Sequence, residues 1–128
     1  MDAKQILVID DEADIREIAK MSLQITKQWT VVTAASGHDG LAIAAEKQPD
    51  AILLDVVMPD IDGLMTLKML KDTPATQAIP VIMLTATVNV ATQQEYAALG
   101  AQAVLTKPFD PGILGDQIIK ALCWHVKQ

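Results

Sequence analysis

Along the chain, short runs of consecutive apolar, often β-branched residues alternate with longer segments in which apolar residues recur every three or four positions. The runs ILVID (Ile6–Asp10), TVVTAA (Thr30–Ala35), AILLD (Ala51–Asp55), PVIMLT (Pro80–Thr85) and AVLT (Ala103–Thr106) predict five strands. Four of the five are apolar at almost every position, without the alternation of a half-wetted sheet, which predicts a parallel sheet covered by helices on both faces. Between and after them the spacing predicts helices near residues 13–27, 37–47, 62–72, 90–99 and 111–126, able to serve as right-handed crossovers. In the first helix Ile15, Ile18, Ser22 and Ile25 form the stripe predicted to be buried, while Arg16, Glu17, Lys20 and Gln24 fall elsewhere. Pro49, Pro74, Gly100 and Pro111 punctuate the ends and starts of these helices.

The alternation runs without a low-complexity linker or an internal repeat, so residues 1–128 are expected to form a single α/β domain. Half the residues are apolar but only four are aromatic, which requires a core of aliphatic side chains and Met. A net charge of -6 with no basic cluster speaks against direct binding to nucleic acid. The opening MDAKQILVID has too short an apolar run for a signal peptide or a membrane span, so no membrane association and a cytoplasmic location are expected. Cys123 stands alone, which excludes an intrachain disulfide, and its setting in IIKALCW predicts a buried small hydrophobe.

The polar residues collect at strand ends. Asp10 and Asp11 close the first strand, Asp55 the third and Thr85 the fourth, and Lys107 follows the fifth. In an open parallel sheet this is the edge at which ligands bind. Three crowded carboxylates repel one another by a few kcal/mol per close pair at an intermediate dielectric, and therefore need a cation or must protonate, a divalent metal being the natural remedy. An all-oxygen set without His or Cys favours Mg2+. Lys107 adds a second positive charge and Thr85 a hydroxyl donor, so a phosphoryl group on Asp55 would be neutralised from two sides. Taken singly, each residue has a plainer role: Asp11 as a helix cap, Thr85 as a satisfied strand-end hydroxyl, Lys107 as a solvated loop charge. Their order across separate strands favours the site.

The segments VIDDEADIRE, LLDVVMPDIDGL, PVIMLTA and GAQAVLTKPF resemble the receiver domain of two-component response regulators over essentially the whole chain. The resemblance implies a flavodoxin-like, doubly wound, five-stranded parallel sheet of order 2-1-3-4-5 with helices on both faces. It implies that Asp55 accepts a phosphoryl group from a sensor histidine kinase or a histidine phosphotransfer protein, forming an acyl phosphate that water later hydrolyses. The chain would then be a signalling phosphoacceptor that catalyses only its own phosphorylation and dephosphorylation. By the same resemblance Asp11 and Asp55 ligate Mg2+ directly, Asp10 acts through a bound water, and the backbone carbonyl of Val57 is the remaining protein ligand. The backbone N–H of Ala86 would join Thr85 and Lys107 around the phosphoryl oxygens, and Lys107-Pro108 would be a cis peptide. MPDIDG, with Pro59 and Gly63, looks like the family's loop leading from the acceptor strand into the third helix.

Two departures carry expectations of their own. Val104 stands where family members commonly place Tyr or Phe, so the aromatic part of the family's switch cannot operate here. Val57 and Thr87 occupy positions that in the family influence water access, and an apolar Val57 offers nothing to orient an attacking water, which predicts a long-lived phosphorylated state. In the last helix Leu114, Ile118, Ile119, Leu122, Cys123 and Val126 spread over an arc of about 200°. Either that helix is wedged between sheet and first helix, or its outer flank joins the fourth helix around Tyr96 in a phosphorylation-dependent homodimer or effector surface. Trp124 and His125 fit either a standalone receiver or one cut from a longer protein.

Other classes fit less well. An aspartyl phosphatase needs a second acid two residues after its nucleophile, where this chain has Val57, and a flavodoxin-like nucleotide binder needs a first loop rich in Gly, Ser or Thr, where this chain has Asp10, Asp11 and Glu12. A receiver-fold docking module not switched by phosphorylation remains the alternative.

Overall fold

The computed structural model describes residues 3–124. Five strands, β1 (Gln5–Ile9), β2 (Thr30–Ala34), β3 (Ala51–Asp55), β4 (Val81–Thr85) and β5 (Ala103–Thr106), form one parallel sheet in the order β2-β1-β3-β4-β5. They alternate with α1 (Ala13–Lys27), α2 (Gly37–Lys47), α3 (Gly63–Asp72), α4 (Val90–Ala98) and α5 (Leu114–Leu122). This is the flavodoxin-like receiver fold. β3 and β4 are buried along their whole length, which accounts for their unbroken apolar runs.

Successive side chains of a strand point to opposite faces, and that alternation builds two cores. Leu7, Ile9, Ile52 and Leu54 share one cluster with Leu67 and Leu70 of α3 and Tyr96 of α4, while Ile6, Val8, Leu53 and Ile82 share the other with Ala19 and Leu23 of α1 and Leu114 and Ile118 of α5. A fully buried aliphatic side chain of this kind is worth roughly 1.5–3 kcal/mol relative to exposure. The central strands, each with aliphatic residues in both clusters, therefore hold the two layers together.

Several sequence expectations are corrected by the packing. The buried residues of α1 are Ala19, Ser22 and Leu23, whereas Ile18 and Ile25 are exposed. The register is set from outside the helix: Ser22 donates its hydroxyl hydrogen to the Pro111 carbonyl, and the Leu23 side chain joins the sheet core. α5 begins at Leu114, not at Pro111, because the Asp110 carboxylate accepts the Gly112 N–H at 2.8 Å and closes a turn ahead of the helix. At the other end Cys123 takes a left-handed conformation, with φ 56°, and terminates α5. Cys123 is exposed as a consequence, not buried. Within α5, Leu114 and Ile118 are buried while Ile119 and Leu122 are half-buried against the same cluster, so this apolar arc is largely wedged inward; Val126 lies outside the described residues. Tyr96 is buried and anchors α4 to the core, so it offers no docking surface. Among the described residues, no helix is long and apolar enough to cross a membrane.

Candidate functional site

β1, β3, β4 and β5 end side by side, and the residues that follow their carboxyl ends converge on a cavity of about 600 Å3 lined by Asp11, Glu12, Asp55, Val57, Thr85, Ala86 and Lys107 among others. Asp55 is the last residue of β3 and Thr85 the last of β4, while Asp10 directly follows β1. A rigid strand end fixes each of them more tightly than a free loop would. Gly63, the first residue of α3, packs so closely on β3 that an added Cβ would lie 2.1 Å from the Asp55 carbonyl oxygen. The Gly63 N–H meets the Val56 carbonyl at 2.7 Å, which ties the loop between β3 and α3 back onto the end of β3. Asp62 caps α3 by accepting the Met65 N–H at 2.8 Å.

Asp10, Asp11 and Asp55 each bring a carboxylate oxygen within 4.8 Å of the others. Asp10 is wholly buried, Asp55 nearly so, and Asp11 is exposed at the mouth. Lys107 reaches into this group from beyond β5, its Nζ 3.0 Å from Asp10 Oδ2, 3.0 Å from Glu12 Oε1 and 3.3 Å from Asp55 Oδ1. The Lys107-Pro108 peptide bond is cis. Asp10 Oδ1 accepts the Glu12 N–H at 2.9 Å, but Asp10 Oδ2 accepts no well-aligned hydrogen bond and only faces the ammonium. The alternative role of Asp11 as a helix cap is not what forms: Glu12 occupies the N-cap of α1 and makes no side-chain capping bond.

The electrostatics follow from this crowding. Burial, and next the neighbouring Asp10 charge, push the Asp55 carboxyl above its ordinary pKa, with Lys107 pulling the other way. For Lys107, burial works against the charged form but is outweighed by the hydrogen bond to Glu12 and by the close charges of Asp10 and Asp55, so the ammonium is held even more firmly than usual. Three acids facing one ammonium leave negative charge in excess, and Asp10 Oδ2 is a buried oxygen without a donor. Oxygen donors of this kind, converging from two strand ends, fit a small hard divalent cation such as Mg2+.

Thr85 and Ala86 line the same cavity, and the Thr85 hydroxyl oxygen accepts the Thr87 N–H at 3.2 Å. Val57 is strongly exposed at the cavity mouth, with its own N–H 3.4 Å from Asp55 Oδ1. Val104, by contrast, is half-buried and packs on the core that contains Tyr96. Sequence reasoning did not assign a site role to Glu12; the only signal was its place in the run Asp10-Asp11-Glu12. It also missed Asp60, whose carboxylate accepts the N–H groups of Gly37 and His38 at 3.2 and 3.1 Å and so joins the loop after β3 to the start of α2.

Comparison with known proteins agrees with this geometry. Residues 6–119 match the family model described as "Response regulator receiver domain". The chain is 42% identical over 112 residues to the response regulator PleD of Caulobacter vibrioides, an alignment covering 86% of this chain and 24% of PleD, so the chain spans about a quarter of that relative's length. It is 33% identical over 125 residues to Protein PilG of Pseudomonas aeruginosa, covering 98% of this chain and 89% of PilG. Among solved structures, the chemotaxis response regulator CheY4 of Vibrio cholerae superposes with a TM-score of 0.87 at 32% identity, over 94% of this chain and 99% of that one. Sequence, sheet order and the clustered acids thus lead to one assignment: the chain belongs to the response regulator receiver domain family, the signalling modules of two-component systems.

Proposed function

We propose that this receiver is switched by phosphorylation of Asp55. One observation carries the reading: a buried carboxylate at the end of β3 faces a cavity in which two further carboxylates and one ammonium converge on it. An Asp55 oxygen would attack the phosphorus of a phosphohistidine on a sensor kinase or phosphotransfer protein; the new O–P bond forms as the P–N bond breaks, and the imidazole nitrogen keeps the bonding electrons. Asp10, Asp11 and Asp55, with the Val57 carbonyl, are the groups to hold Mg2+, which when bound would neutralise charge on the phosphoryl oxygens. Lys107 supplies the opposing positive charge, and the Thr85 hydroxyl and the Ala86 N–H line the side where the phosphoryl oxygens would rest.

Release of phosphate requires a water placed in line with the O–P bond. Val57 at the cavity mouth has no group to orient one, so the phosphorylated state is expected to persist without a partner. With Val104 in place of an aromatic ring, output would pass through α4, β5 and α5 by movement of whole elements, toward an effector protein or a second copy of the chain.

Incubation with a small phosphodonor and Mg2+, read by intact-protein mass, tests the central claim. One phosphoryl group is expected on the wild type and none on Asp55→Asn. An unlabelled wild type would favour a docking module that phosphorylation does not switch, and a labelled Asp55→Asn would move the acceptor elsewhere.

A further inference from the structure

We propose that Glu12 holds Lys107 while Asp55 is unmodified and gives it up when a phosphoryl group arrives, making Glu12 a positioning residue of the site. This rests on the reading of Asp55 as phosphoacceptor and adds a residue to it.

An ammonium has three N–H donors, and Lys107 faces three carboxylates, at 3.0, 3.0 and 3.3 Å. Of these contacts only the one to Glu12 is an aligned hydrogen bond, and turning the ammonium onto a phosphoryl oxygen requires that one carboxylate be left behind. Asp10 cannot be the one released: it is wholly buried, and Oδ2 has no other partner, so its departure would strand a charge away from water. Asp55 is the group being modified, and it already has the longest of the three contacts. Glu12 remains. Its side chain is 60% exposed and can rotate into water, where its charge is solvated at little cost.

The position of Glu12 in the fold supports the assignment. It is the N-cap of α1, where a short Ser, Thr, Asp or Asn side chain normally accepts a first-turn N–H, yet the Glu12 carboxylate makes no such bond and reaches across to Lys107, 95 residues away in sequence. The Glu12 backbone N–H separately fixes Asp10 Oδ1 at 2.9 Å. One residue thus sets the buried acid with its main chain and holds the lysine with its side chain. Only the second function is removed by substitution.

The experiment compares wild type, Glu12→Gln and Glu12→Asp in phosphorylation by acetyl phosphate with Mg2+. Glu12→Asp keeps the charge but shortens the reach, so it separates an ion pair from a general repulsion of the anionic donor. Both variants are expected to raise kcat/KM by about fivefold, the worth of an exposed ion pair, through KM and not kcat. The phosphoryl lifetime should stay within about twofold, because the contact is already broken in that state. Without Mg2+ or donor, NMR relaxation of the Lys107 Cε group should show greater mobility in both variants. Unchanged or lowered kcat/KM in Glu12→Gln overturns the proposal, as does a gain confined to Glu12→Gln or a Lys107 side chain no more mobile than in wild type. A wild type that takes no label defeats the phosphoacceptor reading itself, while the relaxation measurement still decides whether Glu12 restrains Lys107.

Discussion

At the scale of single residues, the site is a balance between one ammonium and several acids, and removing the ammonium exposes how much the buried acid depends on it. Lys107→Met leaves Asp10 buried, with Oδ2 facing no cation. The expected loss in unfolding free energy, measured by urea titration in chelator, is about 2–4 kcal/mol, reduced from a fully buried pair because the cavity mouth admits water. Saturating Mg2+ should narrow that gap; a variant as stable as wild type in chelator would mean that Asp10 draws its compensation from elsewhere. A second residue-scale device is Asp60. Its carboxylate accepts the N–H of His38 and of Gly37, and faces His38 Nδ1 at 2.9 Å, where the ring nitrogen must carry the proton because a carboxylate only accepts. The hydrogen bond from the His38 backbone leads in holding this carboxyl well below the ordinary value of 3.8. A depressed folded-state pKa gives stability that is present above the unfolded value and is lost as pH falls through the folded one. The advantage of wild type over Asp60→Asn in thermal melts should therefore be full near neutrality and shrink as pH drops below 3.8. An advantage independent of pH would assign the effect to packing.

At the scale of elements, helix ends decide more than helix interiors. α1 and α2 both end in a left-handed residue that is not glycine, Gln28 with φ 60° and Gln48 with φ 50°. An L side chain in that conformation carries strain of about 1 kcal/mol that Gly avoids. The two positions should nevertheless respond differently. Among the described residues the Gln28 side chain has no hydrogen-bond partner, so Gln28→Gly is expected to stabilise the protein by roughly 0.5–1 kcal/mol. Gln48 donates from Nε2 to the carbonyls of Ala44, Ala45 and Ala75, tying α2 to the loop after α3, so the same change there should bring no gain or a loss. Urea unfolding of the two variants measures both, and equal gains would mean that the Gln48 bonds contribute nothing. α4 presents the opposite case: it has a complete capping box at Asn89 and Thr92 but only Tyr96 buried, so it is well started and lightly anchored. A helix held this way can shift as a unit.

At the scale of the molecule, the site and the tryptophans lie at opposite ends. Trp29 immediately precedes β2, and Trp124 packs edge-on against it at 5.5 Å with Lys4 over its ring, all at the amino-terminal edge of the sheet, while Asp55 and Thr85 close the other edge. Mg2+ at about a hundredfold excess over its Kd should raise unfolding free energy by about 2.7 kcal/mol, while tryptophan fluorescence of the folded protein stays unchanged during the titration. A fluorescence change tracking Mg2+ would reveal a rearrangement that crosses the whole sheet. This polarity was legible from the chain itself. Runs apolar on both faces belong in a parallel sheet covered by helices, and in such a sheet every strand delivers its last residue to the same edge, so Asp10, Asp55 and Thr85 come together there. Periodicity in α1, by contrast, predicted a stripe through Ile15, Ile18, Ser22 and Ile25, and contact with the sheet and with Pro111 instead buried Ala19, Ser22 and Leu23 and left Ile18 and Ile25 exposed. Two further features came only from distances between segments far apart in sequence, Glu12 on Lys107 and Asp60 on the start of α2, while the outward turn of Cys123 comes from a left-handed helix end that periodicity does not mark. Local patterning determines which elements form and in what order, because those are matters of neighbouring residues; which face is buried and which charges pair is decided only when the elements close on one another.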